Sequence, residues 1–142
     1  MTDLLILLMS WIISSISYPP PLASELPEVQ FKTHVELRIL ICGNDIQCEK
    51  RDFGGAYDYK NNVIYLRDNW DIKRKEHHGV LVHELVHFLQ YKNNKKFSCR
   101  AEMEREAYSL EEKWYAKNGI QSPNDPMFIQ FFLMPWPCDI WL

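Results

Sequence analysis

The run Gly79-Val80-Leu81-Val82-His83-Glu84-Leu85-Val86-His87-Phe88-Leu89-Gln90-Tyr91 constrains the fold of this chain more than any other stretch. It holds no proline, and its single charge is Glu84. With His83 and His87 on one helical face, Leu81, Leu85, Phe88 and Leu89 cover the opposite face, and Val82 and Val86 flank them. A helix that is apolar nearly all round is a buried helix. Buried histidines and a buried carboxylate need partners, because a polar group taken from water without a hydrogen bond costs free energy. The rest of the chain must therefore wrap around this helix and satisfy His83, Glu84 and His87.

The pentapeptide His83-Glu84-Leu85-Val86-His87 suggests how. Two histidines one helical turn apart can share a metal ion, and the glutamate between them can act as general base toward water that the metal activates. The plainer reading is two hydrogen-bonded core histidines with Glu84 paired to a lysine. That reading leaves three polar groups on one face still seeking partners, so the metal is the stronger expectation. A catalytic Zn2+ takes three protein ligands and keeps a fourth position open. The third must come from downstream, where Met103, Ala107, Leu110 and Trp114 form a helical stripe from about residue 100 to 117. Glu102, Glu104 and Glu106 are the candidates. Glu106 lies closest to the stripe and Glu104 flanks its other side, and periodicity does not separate them. The other acids of this run are expected to form a solvated face.

The helix with His-Glu-x-x-His followed by a helix carrying a glutamate resembles the gluzincin group of zinc metallopeptidases. "LVHELVHFLQ", a later Cys, then "ExExxAY" and a Trp resemble a family of small bacterial gluzincin-like proteins, over about Pro27 to Trp114. The resemblance implies a small zincin-like (minigluzincin) α+β domain, a short antiparallel sheet preceding two active-site helices. It implies that the glutamate three before Ala-Tyr, Glu104, is the third ligand beside His83 and His87. It implies Glu84 as general base and a peptide or protein substrate. Many gluzincins carry an acid four residues after the ligand glutamate; here Tyr108 stands there, able to hydrogen-bond but not to supply charge. Tyr108 is the first candidate for a supporting or oxyanion-binding role, with Tyr65, His77 and His78 behind it. His77 and His78 are expected to be exposed residues at a helix start. By the same resemblance, Val63 to Leu66 would line the cleft and add an extended peptide as a strand. The competing reading keeps the zinc ligands without proteolysis, in a structural or partner-binding domain whose cleft is blocked by the aromatic tail.

At 142 residues the chain has room for one domain, expected over residues 31–142. A net charge of −3 argues against a nucleic-acid partner. Leu4 to Ile16 is an apolar run too short to span a bilayer comfortably, so residues 1–17 read as a secretory signal, or as an anchor that would bring the chain to a membrane. Residues 18–30, with prolines at 19, 20, 21 and 27, read as an extended lead-in. Four cysteines fit two disulfides in an exported, periplasmic or secreted, protein; the near pair Cys42–Cys48 would leave Cys99–Cys138, and the other pairings stay open. Phe31 to Cys42 reads as a helix ending at Gly43, with a strand as the alternative. Ala56 to Leu66 reads as a hairpin turning over Lys60-Asn61-Asn62. The motif helix should begin at Ile72 or Lys75 and stop at Asn93-Asn94. Gly79 within it suggests the close approach of another element. The tail from Phe128 to Leu142 is too apolar to hang free and is expected to pack on the core or wall the cleft.

Overall fold

The computed structural model describes residues 1–45, 48 and 53–141. The elements are α1 (Thr2–Ser15), β1 (Glu28–Lys32), α2 (His34–Cys42), β2 (Gly55–Asp58), β3 (Val63–Arg67), α3 (Lys75–Lys92), α4 (Arg100–Lys117) and α5 (Pro126–Phe132), with short 3-10 turns at Ala23–Glu25 and Cys138–Trp141. The fold is α+β. Helix α3 is its axis: Leu81, Val82, Leu85, Val86 and Leu89 are fully buried, as the apolar periodicity requires.

Local chemistry sets the ends of α3. At its start, the Trp70 indole donates to the His77 carbonyl (2.7 Å) and the Asp71 amide donates to His77 Nδ1 (2.8 Å). His78 Nε2 pairs with the Ile72 carbonyl at 2.7 Å, its ring lying between Trp70 and Trp114. His78 is thus buried rather than exposed, and together with His77 it fastens the entry loop. At the other end Asn94 takes φ 49°, the left-handed conformation that asparagine tolerates and that stops a helix. Gly79 faces Tyr115 of α4, and any Cβ at Gly79 would collide with that ring. This is the close approach that a glycine inside the helix foretold.

The sheet has the order β1-β3-β2. The hairpin β2–β3 is antiparallel, with Ala56 opposite Tyr65 and Tyr57 opposite Ile64. Asp58 Oδ1 accepts from the Lys60 amide (3.0 Å) and Asn62 takes φ 54° in the turn. Ile64 and Leu66, two apart, both turn their side chains into the core that α3 dominates. β1 pairs parallel with β3, Glu28 opposite Val63 through Lys32 opposite Arg67. The sheet is therefore mixed, not antiparallel, and β3 lies in its centre with both edges paired. Strand addition onto Val63 to Leu66 is excluded in this arrangement, since their backbone groups are already used. The stretch from Phe31 to Cys42 divides: Phe31 and Lys32 belong to β1, and α2 begins after Thr33. Thr33 Oγ1 accepts from the Glu36 amide (3.1 Å), and Glu36 Oε2 accepts from the Thr33 amide (3.4 Å). The helix stops at Gly43, φ 55°.

Residues 1–17 do not stand apart from the fold. Leu5, Leu8, Met9 and Ile12 of α1 are buried in the same core as α3, and Trp11 meets the Trp114 ring edge-on at 5.3 Å. Among the described residues, no helix is long and apolar enough to cross a membrane. The lead-in is also bound in place: Glu25 pairs with Lys92 at the end of α3, and Asn62 Nδ2 donates to the Glu25 carbonyl at 3.1 Å. Both expected disulfides are present, Cys42–Cys48 and Cys99–Cys138, as suits an oxidising, exported environment. The second ties the tail to the start of α4. Within the tail, Phe132 is buried and Arg105 donates to the Phe132 carbonyl at 3.2 Å. The side chains of Ile140 and Trp141, all of Leu142, and Ile46 and Gln47 in the short disulfide loop lie outside the described residues.

Candidate metal centre

Helices α3 and α4 pack side by side, and the polar face of α3 meets one carboxylate of α4. Glu104 Oε2 lies 3.0 Å from His83 Nε2, and Glu104 Oε1 lies 3.3 Å from His87 Nε2. The two imidazoles approach edge to face at 4.9 Å between ring centres. Ligand atoms of His83, His87 and Glu104 all fall within 4.8 Å of one another. His83, Glu84 and His87 are each less than a tenth exposed. The structure therefore brings Glu104, not Glu106 or Glu102, to the two histidines. Glu106 turns the other way, accepting from Lys95 Nζ (2.7 Å) and the Tyr18 hydroxyl (2.6 Å). Glu102 accepts from the Ser98 amide at 2.9 Å, just before α4 begins.

A second buried acid joins the group. Glu111 Oε1 lies 3.2 Å from His83 Nδ1, a close ionic contact off the line of a full hydrogen bond, and its other oxygen is met by Asn124. Sequence reasoning looked for an acid four residues after the ligand glutamate and found Tyr108. The acid stands seven residues on, two helical turns from Glu104 and on the same face of α4. That spacing was the available signal. Gln90 was missed as well. It lies one turn beyond His87, and its Oε1 is 2.8 Å from His87 Nδ1.

Tyr108 packs its ring against His83 at 4.5 Å, close to perpendicular, and Phe128 and Phe132 of α5 pack on Tyr108 in turn. The tail thus walls the site, as its apolar composition implied. Tyr65 is not brought to the site; its hydroxyl donates to Asp58 Oδ2 within the hairpin (3.4 Å). His77 and His78 are spent on the α3 entry loop.

The electrostatics show what the cluster lacks. Burial lifts the Glu84 carboxyl above the usual carboxylate range, and Glu104 and Glu111 reinforce that lift. Burial works against charge on His83, but Glu104 and Glu111 outweigh it and push His83 up to about 10. Glu104 is held well below the usual range by the two histidines, against its own burial. Three carboxylates thus crowd two imidazoles. The permanent cation paired with them among the described residues is Arg100, 3.8 Å from Glu104 and largely exposed. A proton on His83 or a bound metal ion would supply the positive charge that these carboxylates call for. Two imidazole nitrogens and one carboxylate, converging and partly shielded from water, form a donor set of the kind that holds zinc with a position left open. The other close group of donor residues, Cys99, Glu102 and Cys138, has both sulfurs tied in a disulfide and offers no thiolate.

No curated protein and no solved structure matches the chain. A model describing a domain of unknown function, DUF6647, matches residues 1–133, which include α1, the whole sheet and all the residues of the candidate metal centre. The chain belongs to the DUF6647 family.

Proposed function

We propose that this protein is a zinc-dependent metallopeptidase of zincin-like (gluzincin) type, acting outside the cytosol on a peptide or protein substrate. The observation that carries the reading is the Glu104 carboxylate, which reaches both His83 and His87 beside a buried Glu84. His83 and His87 would hold the ion through Nε2 and Glu104 through its carboxylate. When bound, zinc supplies Lewis acidity toward a peptide carbonyl and makes water a competent nucleophile near neutral pH.

The chain's own residues supply the rest. Glu84 adjoins both histidines, and its lifted affinity for protons suits a group that takes a proton from the attacking water and returns it to the leaving amine. Glu111 balances positive charge on His83 from the side away from Glu104. Tyr108, ring against His83, is the proposed supporting group for the carbonyl oxygen as charge develops there.

The test joins two measurements. Protein purified without added metal is assayed for zinc per chain, and Glu84→Gln is compared with the parent on a casein or random-peptide substrate. The reading expects about one zinc per chain in both and a loss of hydrolysis of at least about 100-fold in the variant. Zinc without any hydrolysis in the parent, under conditions where the fold is intact, would favour the non-proteolytic zinc domain instead. The wall of Phe128 and Phe132 beside Tyr108 is the feature that favours that second reading. Absence of stoichiometric zinc would remove both.

A further inference from the structure

Gln90 is 1% exposed, and every polar atom of its side chain is engaged. Its Nε2 donates to the Met103 carbonyl (2.9 Å) and to Glu106 Oε1 (3.2 Å). Both partners are pure acceptors: one is a main-chain carbonyl, the other a carboxylate that burial opposes but Lys95, Tyr18 and Gln90 hold below the usual range. The amide can therefore take only one orientation, because a flip would set its oxygen against two acceptors. In that orientation Gln90 presents Oε1 to His87 Nδ1 at 2.8 Å, and an amide oxygen only accepts. The proton must then sit on His87 Nδ1. In the neutral imidazole that a metal requires, the lone pair then falls on Nε2, the nitrogen that faces Glu104.

We infer that Gln90, locked by Met103 and Glu106, is the positioning residue that holds His87 in its metal-binding tautomer. The inference rests on the reading of His83, His87 and Glu104 as a zinc site. The relay runs from His87 through Gln90 to Glu106 and ends on Lys95 and on Tyr18, two residues beyond α1 and its cap. The two histidines are thus supported differently: His83 by a carboxylate and His87 by a neutral amide. The neutral amide orients its histidine without adding a fourth negative charge to an already acidic cluster. A Gln90 that merely filled the core with satisfied hydrogen bonds would have no consequence for His87 once replaced by an isosteric apolar residue.

The test uses the full chain and three readouts: zinc affinity by chelator competition, the 15N-coupled signal of the His87 Nδ1 proton, and the thermal midpoint of the metal-free protein. In Gln90→Met, similar in length and unable to accept strongly from His87, zinc affinity is expected to fall about 10–100-fold and the protected Nδ1 proton to be lost. Glu106→Gln removes one of the two pure acceptors that forbid the flip; it should shift zinc affinity in the same direction by less and make the Nδ1 proton exchange faster. Should Gln90→Met fail to fold, Glu106→Gln decides alone. Unchanged zinc affinity together with an unchanged Nδ1 signal in a folded variant overturns the inference. If the parent binds no zinc, the metal reading fails by itself, and the Nδ1 proton of the metal-free protein judges the relay. A protected proton in the parent that disappears in Gln90→Met sustains it, and its absence from the parent overturns it.

Discussion

Gly79→Ala probes the packing that sets the distance between the two helices that carry the candidate metal ligands. Gly79 lies in the second turn of α3, and a Cβ there would run into Cζ, Oη and Cε1 of Tyr115 on α4. The tyrosine cannot turn aside into solvent. It is 1% exposed and its hydroxyl reaches back to the Glu76 carbonyl at 3.5 Å. Carbon pairs settle near roughly 3.5–4 Å, so α3 and α4 would have to part by about 1.3–1.8 Å at this point. Overpacking of this kind costs about 1–3 kcal/mol, and a collision with rigid ring atoms belongs at the upper end. Alanine recovers about 1 kcal/mol over glycine through helix propensity. The expected net loss is about 1–2 kcal/mol, which lowers Tm by about 3–8 °C for a domain of this size. Thermal and urea melts of the metal-free protein measure it. A second readout follows from the geometry: moving α4 moves Glu104 away from His83 and His87, so zinc affinity should fall with stability. Combining Gly79→Ala with Tyr115→Leu should recover part of the loss, since the smaller side chain makes room. A Tm equal to or above the parent's would refute the argument, because propensity alone would then be acting and the helices would not be in contact there.

Glu104→Ala is expected to weaken zinc binding by at least about 100-fold while Glu102→Ala changes it less than about 3-fold, read by the same chelator competition. Binding of zinc should release about one proton per site at pH 7.5, because His83 has its pKa near 10 in the metal-free fold and must shed its proton to act as a ligand. Calorimetry in buffers of different ionisation heat counts that proton, and none released would contradict the charge balance described for the site. The same residue sets the pH dependence of stability: its folded pKa is raised above the ordinary histidine value of about 6.5, so its contribution to the metal-free protein is complete below about pH 6.5 and is lost as pH rises through about 10. Removing Cys99–Cys138 as a serine pair should cost about 4 kcal/mol and removing Cys42–Cys48 about 2, since their sequence separations are 39 and 6. Urea midpoints test the order, and a costlier short loop would show that chain entropy does not govern these bonds.

Much of the site could be read from sequence because its signals are local. The break at Asn93-Asn94 and the stripe from about residue 100 to 117 match the end of α3 and the span of α4 closely, and His83, Glu84 and His87 lie within five residues. Glu104 came from a family pattern rather than from periodicity, which did not separate it from Glu106. Glu111 was missed because its partner, His83, lies on another helix and the expected spacing was one turn rather than two. The packing of the first helix on the core was not legible for a different reason. Leu5, Leu8, Met9 and Ile12 follow the i, i+3, i+4, i+7 stripe of a helix packed on one side, but exposed Ile6 and Leu7 beside them blur that stripe into a uniformly apolar run. The parallel pairing of β1 with β3 leaves no local trace at all, because nothing in Glu28 to Lys32 names its partner.

That pairing also orders events in time. Only four residues separate β2 from β3, whereas thirty separate β1 from β3, and α1 must wait for α3, whose first residue is sixty positions beyond Ser15. The hairpin can close as soon as it leaves the ribosome, because short loops are quick to join. Until α3 follows, the stripe of Leu5, Leu8, Met9 and Ile12 has no surface to cover it. During synthesis α1 therefore stays uncovered until α3 has emerged some sixty residues later, an apolar helix open to chaperones before it becomes part of the core.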